Sequence, residues 1–356
     1  MDSSKLPLRI ALTKMKNRIR ILLSNAIIYI FAIFLMGCNN SYTPKEGNYL
    51  KESTQVTDDG STFNEDGTQV LNPEYGLSVP TWITKYGDYY FIVDCYHNRV
   101  IYSESLESPL NEWRVMTDDI NMGHTVASDG QVYLVDDTEN NRVLIFEEDT
   151  DPNGETVFKN TQEFTGIGTR PHYIIYDEDT DTFYVWSSMT GEMYLFRRDT
   201  DSKQVYLTEK LEVPELNGFY VRSFTIMDDK IYFVSGNLNI IEASLKDFSI
   251  INRYPVPNEI AGMVQLTKIE DYYYITVSTD ANASQDAATL IRTKSLESLA
   301  AGDYEDVYDN FIGGGTPYAI TKIDDHYYLC EHRLPGHSIW QFDVKDNEII
   351  NQVSLY

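Results

Sequence analysis

The sequence predicts an all-β fold, a six-bladed β-propeller, on three observations. A two-strand motif recurs six times, its spacing matches one four-stranded blade, and the composition is rich in strand-forming aromatic residues. The fullest copies are residues 80–94, PTWITKYGDYYFIVD, and 317–331, PYAITKIDDHYYLCE. Both run Pro-x-x-Ile-Thr-Lys, then a turn with acid or glycine, then an aromatic and aliphatic strand that ends in a carboxylate. Residues 266–275 repeat the middle of the pattern, and weaker copies begin near Met122, Pro171 and Val221. Each copy reads as a β-hairpin. The starts fall near 80, 122, 171, 221, 263 and 317, which divides residues 79–356 into six units. Outer strands follow the hairpins, as at 99–102 and 112–116 in the first unit and 142–146 in the second. The chain of 356 residues carries 27 Tyr, 15 Phe and 4 Trp, enough aromatic surface to fill the faces between blades. A lone blade cannot bury both its faces, whereas six in a ring bury each against a neighbour and leave no long free edge.

The first 37 residues do not read as part of that ring. They hold six basic residues against one acid, then an apolar run from Ile21 to Met36 broken by Ser24 and Asn25. A basic start followed by an apolar stretch and a small residue is the pattern of a secretory signal peptide. The alternative is an uncleaved anchor of about 17 residues, at the short limit for spanning a bilayer. Met15 would itself open a good signal, so the true start is Met1 or Met15. The sequence Leu35-Met36-Gly37-Cys38 resembles the lipobox of bacterial lipoproteins. The resemblance implies cleavage before Cys38, lipidation of its thiol, membrane attachment through that lipid and an extracytoplasmic place on the bacterial cell envelope. Residues 38–78 are polar, turn-rich and without periodicity, and are expected to form a lipid-anchored flexible tether.

Charge and cysteine content exclude several classes. The chain has 28 basic and 55 acidic residues, a net charge of −27. Without residues 1–37 the counts become 22 and 54, a net of −32. Such an excess of acid argues against nucleic acid as a partner. Three cysteines are too few for a disulfide scaffold or a zinc ribbon. Cys95 and Cys330 fall on the blades that meet at ring closure, in positions two residues out of register, and are expected as buried free thiols. No nucleophile elbow, P-loop, dinucleotide fingerprint or HExxH motif is present.

Strand direction sorts the remaining candidates. The segment entering each first strand and the connection from second to third strand share one face of the disc, the top. Five of the six histidines fall there: His124 and His172 at first-strand starts, His97, His332 and His337 in second-to-third connections. His326 falls on the bottom. Equivalent positions around the central opening bring together Trp82, His124, His172, Tyr173, Arg222, Gln265 and Tyr318, and with His97 and His332 these form the candidate ligand-binding set. Residues 278–287, the longest top connection, are a candidate lid, and Gly313-Gly314-Gly315 is either a flexible loop or an anion-binding nest. On the bottom, Asp149-x-Asp151-x-Asn153-Gly154 matches the opening of a calcium loop but has Asn160 where the bidentate Glu belongs.

The segments Asp94-x-x-His97-Asn98-Arg99-Val100 and Asp136-x-x-x-Asn140-Asn141-Arg142-Val143 resemble the NHL repeat, whose propellers usually have six blades. One NHL family, the peptidyl-amidoglycolate lyases, holds zinc with channel-facing histidines in a Pro-His context. Pro171-His172 is similar to that context and His124 is similar in position, although that family uses three histidines where two are found here. The resemblance implies His124 and His172 as metal ligands. Calcium in the bottom loop is the other cofactor reading. Binding of a ligand or a partner protein at the top-face channel mouth, without catalysis, is the leading functional expectation. A metal-dependent lyase or lactone hydrolase at the same mouth is the alternative, and an envelope assembly scaffold is a third.

Overall fold

The computed structural model describes residues 49–56, 68–69, 72 and 76–356. Cys38, the signal segment and most of the expected tether lie outside the described residues. The rest is a six-bladed β-propeller. Blade 1 comprises strands Pro80–Tyr86, Tyr89–Asp94, Arg99–Ser103 and Arg114–Thr117. Blades 2 to 6 begin with first strands Val126–Ser128, Pro171–Asp177, Phe224–Met227, Met263–Ile269 and Thr316–Ile323. The four-stranded meander of every blade is drawn from one continuous stretch of chain, and the sheet of blade 2 gains a fifth strand, Thr54–Gln55. Among the described residues no strand is exchanged between blades 1 and 6, so the two ends of the ring meet through side chains and a few hydrogen bonds.

Six apolar cores hold the ring together, one between each pair of neighbouring blades. The core between blades 1 and 2 is aromatic: Phe91, Tyr102, Tyr133, Phe146 and Phe158 are all buried together. Rings pack edge to face, as Tyr102 and Phe158 do at 4.7 Å and 84°, the arrangement their quadrupoles favour. The closing core joins Ile83, Ile92, Ile101 and Trp113 of blade 1 to Ile323, Tyr328, Cys330 and Ile339 of blade 6. Cys95 and Cys330 are both buried free thiols.

Hydroxyl groups on the inner strands stitch the ring further. Thr81 Oγ1 donates to the His124 carbonyl (2.8 Å), Thr138 Oγ1 lies 2.8 Å from the Pro171 carbonyl, Ser223 Oγ donates to Val264 (2.6 Å) and Thr276 Oγ1 to Tyr318 (2.7 Å). The hydroxyls of Thr81, Ser223 and Thr276 each cap a carbonyl of the neighbouring blade and so fix the blade-to-blade register at the axis.

The stretch expected as a free tether differs from that expectation where it is described. Leu50 N–H donates to the Leu207 carbonyl on the outer strand of blade 3. Thr54–Gln55 then pairs antiparallel with the outer strand of blade 2, Thr54 opposite Glu163. Asn72 N–H bonds the Trp113 carbonyl beside the outer strand of blade 1, and the Asn72 amide donates to Leu110. These segments therefore cover exposed strand edges on three successive blades, the edges that would otherwise invite pairing with another chain.

Candidate functional site

The first strands share an irregularity that aims their side chains. Register shifts fall between Pro80 and Trp82, Pro171 and Tyr173, Met263 and Gln265, and Pro317 and Ala319. The skipped residues are Thr81, His172, Val264 and Tyr318. A bulge of this kind turns the extra residue out of the ladder, here toward the axis, and His124 and Arg222 hold the equivalent places in blades 2 and 4. Two residues earlier, Val79, Met122 and Arg170 adopt left-handed backbone, with φ of 60°, 59° and 60°. That conformation is unusual for any residue with a β-carbon and most of all for valine. The Asn98 side-chain oxygen accepts the Met122 N–H (2.9 Å) and the Asn141 oxygen accepts the Arg170 N–H (2.7 Å). These are the asparagines of the two NHL-like segments, and each holds the entrance of the following blade in its strained conformation.

The two tiers line a cup of about 340 Å³ on the top face. Thr81, His124, Arg222 and Tyr318 come from the bulge tier; Val79, Met122, Arg170, Tyr220 and Thr316 stand above them; His332, Arg333 and the connection bearing Ser278, Thr279 and Gln285 complete the wall. The connection at 278–287 thus lies at the cup, where Arg333 clasps it through the Gln285 carbonyl (3.1 Å). Below, Trp82 meets Tyr173 edge-on at 5.4 Å, and the Gln265 amide donates to the Tyr173 hydroxyl (3.2 Å). Trp82, Tyr173 and Gln265 come from blades 1, 3 and 5, so these contacts cross the axis and fill the bore beneath the cup.

His172 is almost fully buried at the base. Its Nδ1 lies 2.9 Å from the Arg222 carbonyl, which can only accept, so Nδ1 carries the proton. Its Nε2 then accepts from the Tyr220 hydroxyl at 2.8 Å. Burial, followed by the nearby His124 and Arg222, holds this imidazole well below the usual histidine range. His124 stacks on it at 3.7 Å and 26°. The Asp136 carboxylate, wholly buried, accepts the backbone N–H groups of His124 and Thr125 and the Thr138 hydroxyl. Thr138 Oγ1 in turn lies 3.0 Å from His124 Nδ1, and Cys95 Sγ lies 3.8 Å from His124 Nε2. Across the cup Tyr318 stacks on His332 at 4.7 Å and 24°. Burial first, then His124, Arg222 and Arg333, hold His332 down to about 3, so it is neutral and its Nε2 has no protein partner.

The paired-metal reading fails on orientation. A tetrahedral ion binds along in-plane lone pairs at about 2.0–2.1 Å. Rings stacked face to face point those lone pairs side by side instead of at a common point, and the Tyr220 hydroxyl occupies that of His172. Among the described residues no group of three His, Cys, Asp or Glu side chains is placed to hold a metal ion. The calcium reading fails similarly. Asp149 is paired with Lys159 at 2.5 Å, and Asp151 Oδ1 accepts the N–H groups of Asn153 and Glu155 in an ordinary turn.

Of the nine candidates, His124, Arg222, Tyr318 and His332 line the cup, His172 lies at its base, and Trp82, Tyr173 and Gln265 fill the bore. His97 stands apart, bonded to Asp94 (2.7 Å) and outside the cup lining. Sequence reasoning missed Arg170, Tyr220 and Arg333. The first two sit two residues before His172 and Arg222, so counting back along the bulge tier would have found them. In the Gly313-Gly314-Gly315 loop, Gly315 is explained by space: a Cβ there would lie 2.4 Å from Glu331 Oε1 and 2.8 Å from the His332 carbonyl.

No protein-family model matches the chain, and no curated protein matches it. Solved structures do. A 6-phosphogluconolactonase-like protein of Bacteroides uniformis aligns over 85% of this chain and 95% of its own, with a TM-score of 0.54 at 13% identity. A second, from Bacteroides fragilis, aligns over 85% and 94%, with a TM-score of 0.53 at 13% identity. At that identity the likeness is one of fold.

Proposed function

We propose that this protein is a lipid-anchored, extracytoplasmic propeller that binds a ligand in the top-face cup without transforming it. The observation that carries the reading is the cup itself: positions far apart in sequence converge on one closed-bottomed, polar and aromatic pocket. Burial, then Asp136 and Asp94, push the Cys95 thiol well above its ordinary value, which opposes thiolate formation. His172 has both nitrogens engaged, and His332 is too weak a base to draw a proton near neutral pH. The NHL-like segments fit the same reading, since their asparagines shape the cup wall.

The second reading is a metal-independent lactone hydrolase. Two things favour it: the unpartnered Nε2 of His332 at the cup wall, and the fold likeness to the two 6-phosphogluconolactonase-like proteins. Screening small metabolites by thermal shift against the wild type and Thr279→Trp, which fills the cup from its half-buried wall, tests the choice. The expected result is a compound that stabilises only the wild type and is recovered unchanged by NMR. Conversion of bound lactones by the wild type but not by His332→Ala would replace binding with hydrolysis. The anchor is tested separately: Cys38→Ser is expected to move the protein from the membrane fraction to the soluble fraction.

A further inference from the structure

On the reading that the cup binds a ligand, we infer that the ligand is a small organic anion, carrying a carboxylate or a phosphate. The protein is strongly acidic overall, yet none of the residues lining the cup is Asp or Glu and three are arginines: Arg170, Arg222 and Arg333. An acidic protein gains nothing in solubility by gathering cations in a pocket free of acids. The arrangement instead creates a local positive field inside a negative shell.

The guanidinium groups are also poised in an unusual way. Among the described residues, neither Arg222 nor Arg333 has a carboxylate within ion-pair distance. Arg222 donates to Ser278 Oγ and, at 3.4 Å, to the Gly262 carbonyl. Arg333 donates to the Gly315 carbonyl (2.7 Å) and to Gln285. Neutral oxygens thus orient both groups, with no carboxylate paired to either. Arg170 is paired with Glu139 at 2.9 Å, but its buried Nε–H has no partner. The Tyr220 ring holds Arg170 and Arg222 on one side of the cup, their guanidinium carbons 5.3 and 5.0 Å from its centroid. That contact fixes the planar forks without consuming their charge. A planar fork with free N–H groups matches the oxygens of a carboxylate or phosphate two at a time. His172 and His332, held neutral, add no cation of their own. Thr279 and Thr316 supply hydroxyl partners for the rest of the ligand.

Calorimetry on the full-length protein with glucuronate, glucose 6-phosphate and inorganic phosphate, against glucose as the uncharged comparison, tests the inference. The expected result is one-site binding of at least one anion, ten-fold or more tighter than glucose and weakening as salt is raised. Arg222→Gln and the exposed Arg333→Gln are each expected to weaken it ten-fold or more. Arg253→Gln, which removes a distant charge paired with Glu215, is expected to leave it unchanged and so excludes a bulk charge effect. The glucuronate and phosphate arms separate a carboxylate site from a phosphate site. Failure of all three anions to bind, or equal binding by the wild type and both cup variants, overturns the inference. Glucose binding as tightly as the anions, and lost in Thr279→Trp, would overturn the anion assignment while keeping the cup as a ligand site. Binding that survives Thr279→Trp would overturn both.

Discussion

Replacing Glu331 with glutamine is expected to stabilise the propeller at pH 8 by about 3 kcal/mol and to flatten the fall in stability between pH 4.5 and 7. Glu331 closes the second strand of blade 6 and is wholly buried. Tyr308 donates to one carboxylate oxygen at 2.9 Å, and the other has no partner. Burial pushes the carboxyl up to about 7, against the hydrogen bond from Tyr308 and the charge of Arg333, which pull it down. The folded state therefore binds this proton more tightly than the unfolded chain does. Its stabilising contribution is complete below the ordinary carboxyl value of 4.5 and is lost as pH rises through about 7. At about 1.4 kcal/mol per unit, the two to three units involved give the stated magnitude. Glutamine keeps an acceptor for Tyr308 and has no proton to lose. Urea denaturation at pH 5 and pH 8 checks this. Parallel pH dependence in the wild type and Glu331→Gln would show that the carboxyl is ionised at no cost.

Glu331 also shows what the sequence reveals and what it hides. The acid at the end of the second strand was visible as a repeating letter at Asp94, Asp136 and Glu331. Its purpose was not, because it depends on side-chain length. Asp94 and Asp136 turn back to accept N–H groups from the chain entering the same blade, Ser78 at 2.6 Å and His124 at 2.9 Å. The longer Glu331 reaches Tyr308 instead. The six-blade architecture was legible because the hairpin motif and its turns repeat along the whole ring. The cup's location followed from strand direction, which places first-strand starts at the axis whatever their side chains. Two features were not legible. Ring orientation is set by the bulges and by partners such as Thr138 and Tyr220, so paired histidines read as metal ligands although they stack. The edge-covering segments leave no periodic signal, because a two-residue strand such as Thr54–Gln55 is shorter than one repeat of any pattern.

Truncating Trp113 to alanine is expected to cost about 3–5 kcal/mol, the range for emptying a buried large aromatic site, and to loosen the ring at one seam only. The seam between blades 1 and 6 is special because chain connectivity does nothing for it. Every other pair of neighbouring blades is joined by a covalent link, and the two ends of the ring meet only through side chains and a few hydrogen bonds. Trp113 is completely buried in that closing core. Its indole Nε1–H donates to the Ser108 carbonyl and to the Tyr356 hydroxyl, both at 3.2 Å. The Tyr356 hydroxyl reaches the carbonyls of Leu106 (2.7 Å) and Ser108 (3.0 Å), so one phenol from blade 6 is clamped between three groups of blade 1. Lys85 and Asp324 add an exposed ion pair at 3.0 Å, which contributes little in water. Tyr356→Phe removes the clamp but keeps the ring and is expected to cost about 1 kcal/mol, the net value of a typical hydrogen bond. Hydrogen exchange distinguishes a seam from a general loss of stability. In Trp113→Ala, amides of the outer strands of blades 1 and 6 should lose protection before those of blades 3 and 4. Uniform loss across all six blades would mean that the ring opens only by global unfolding and that its closure is no weaker than its other joints.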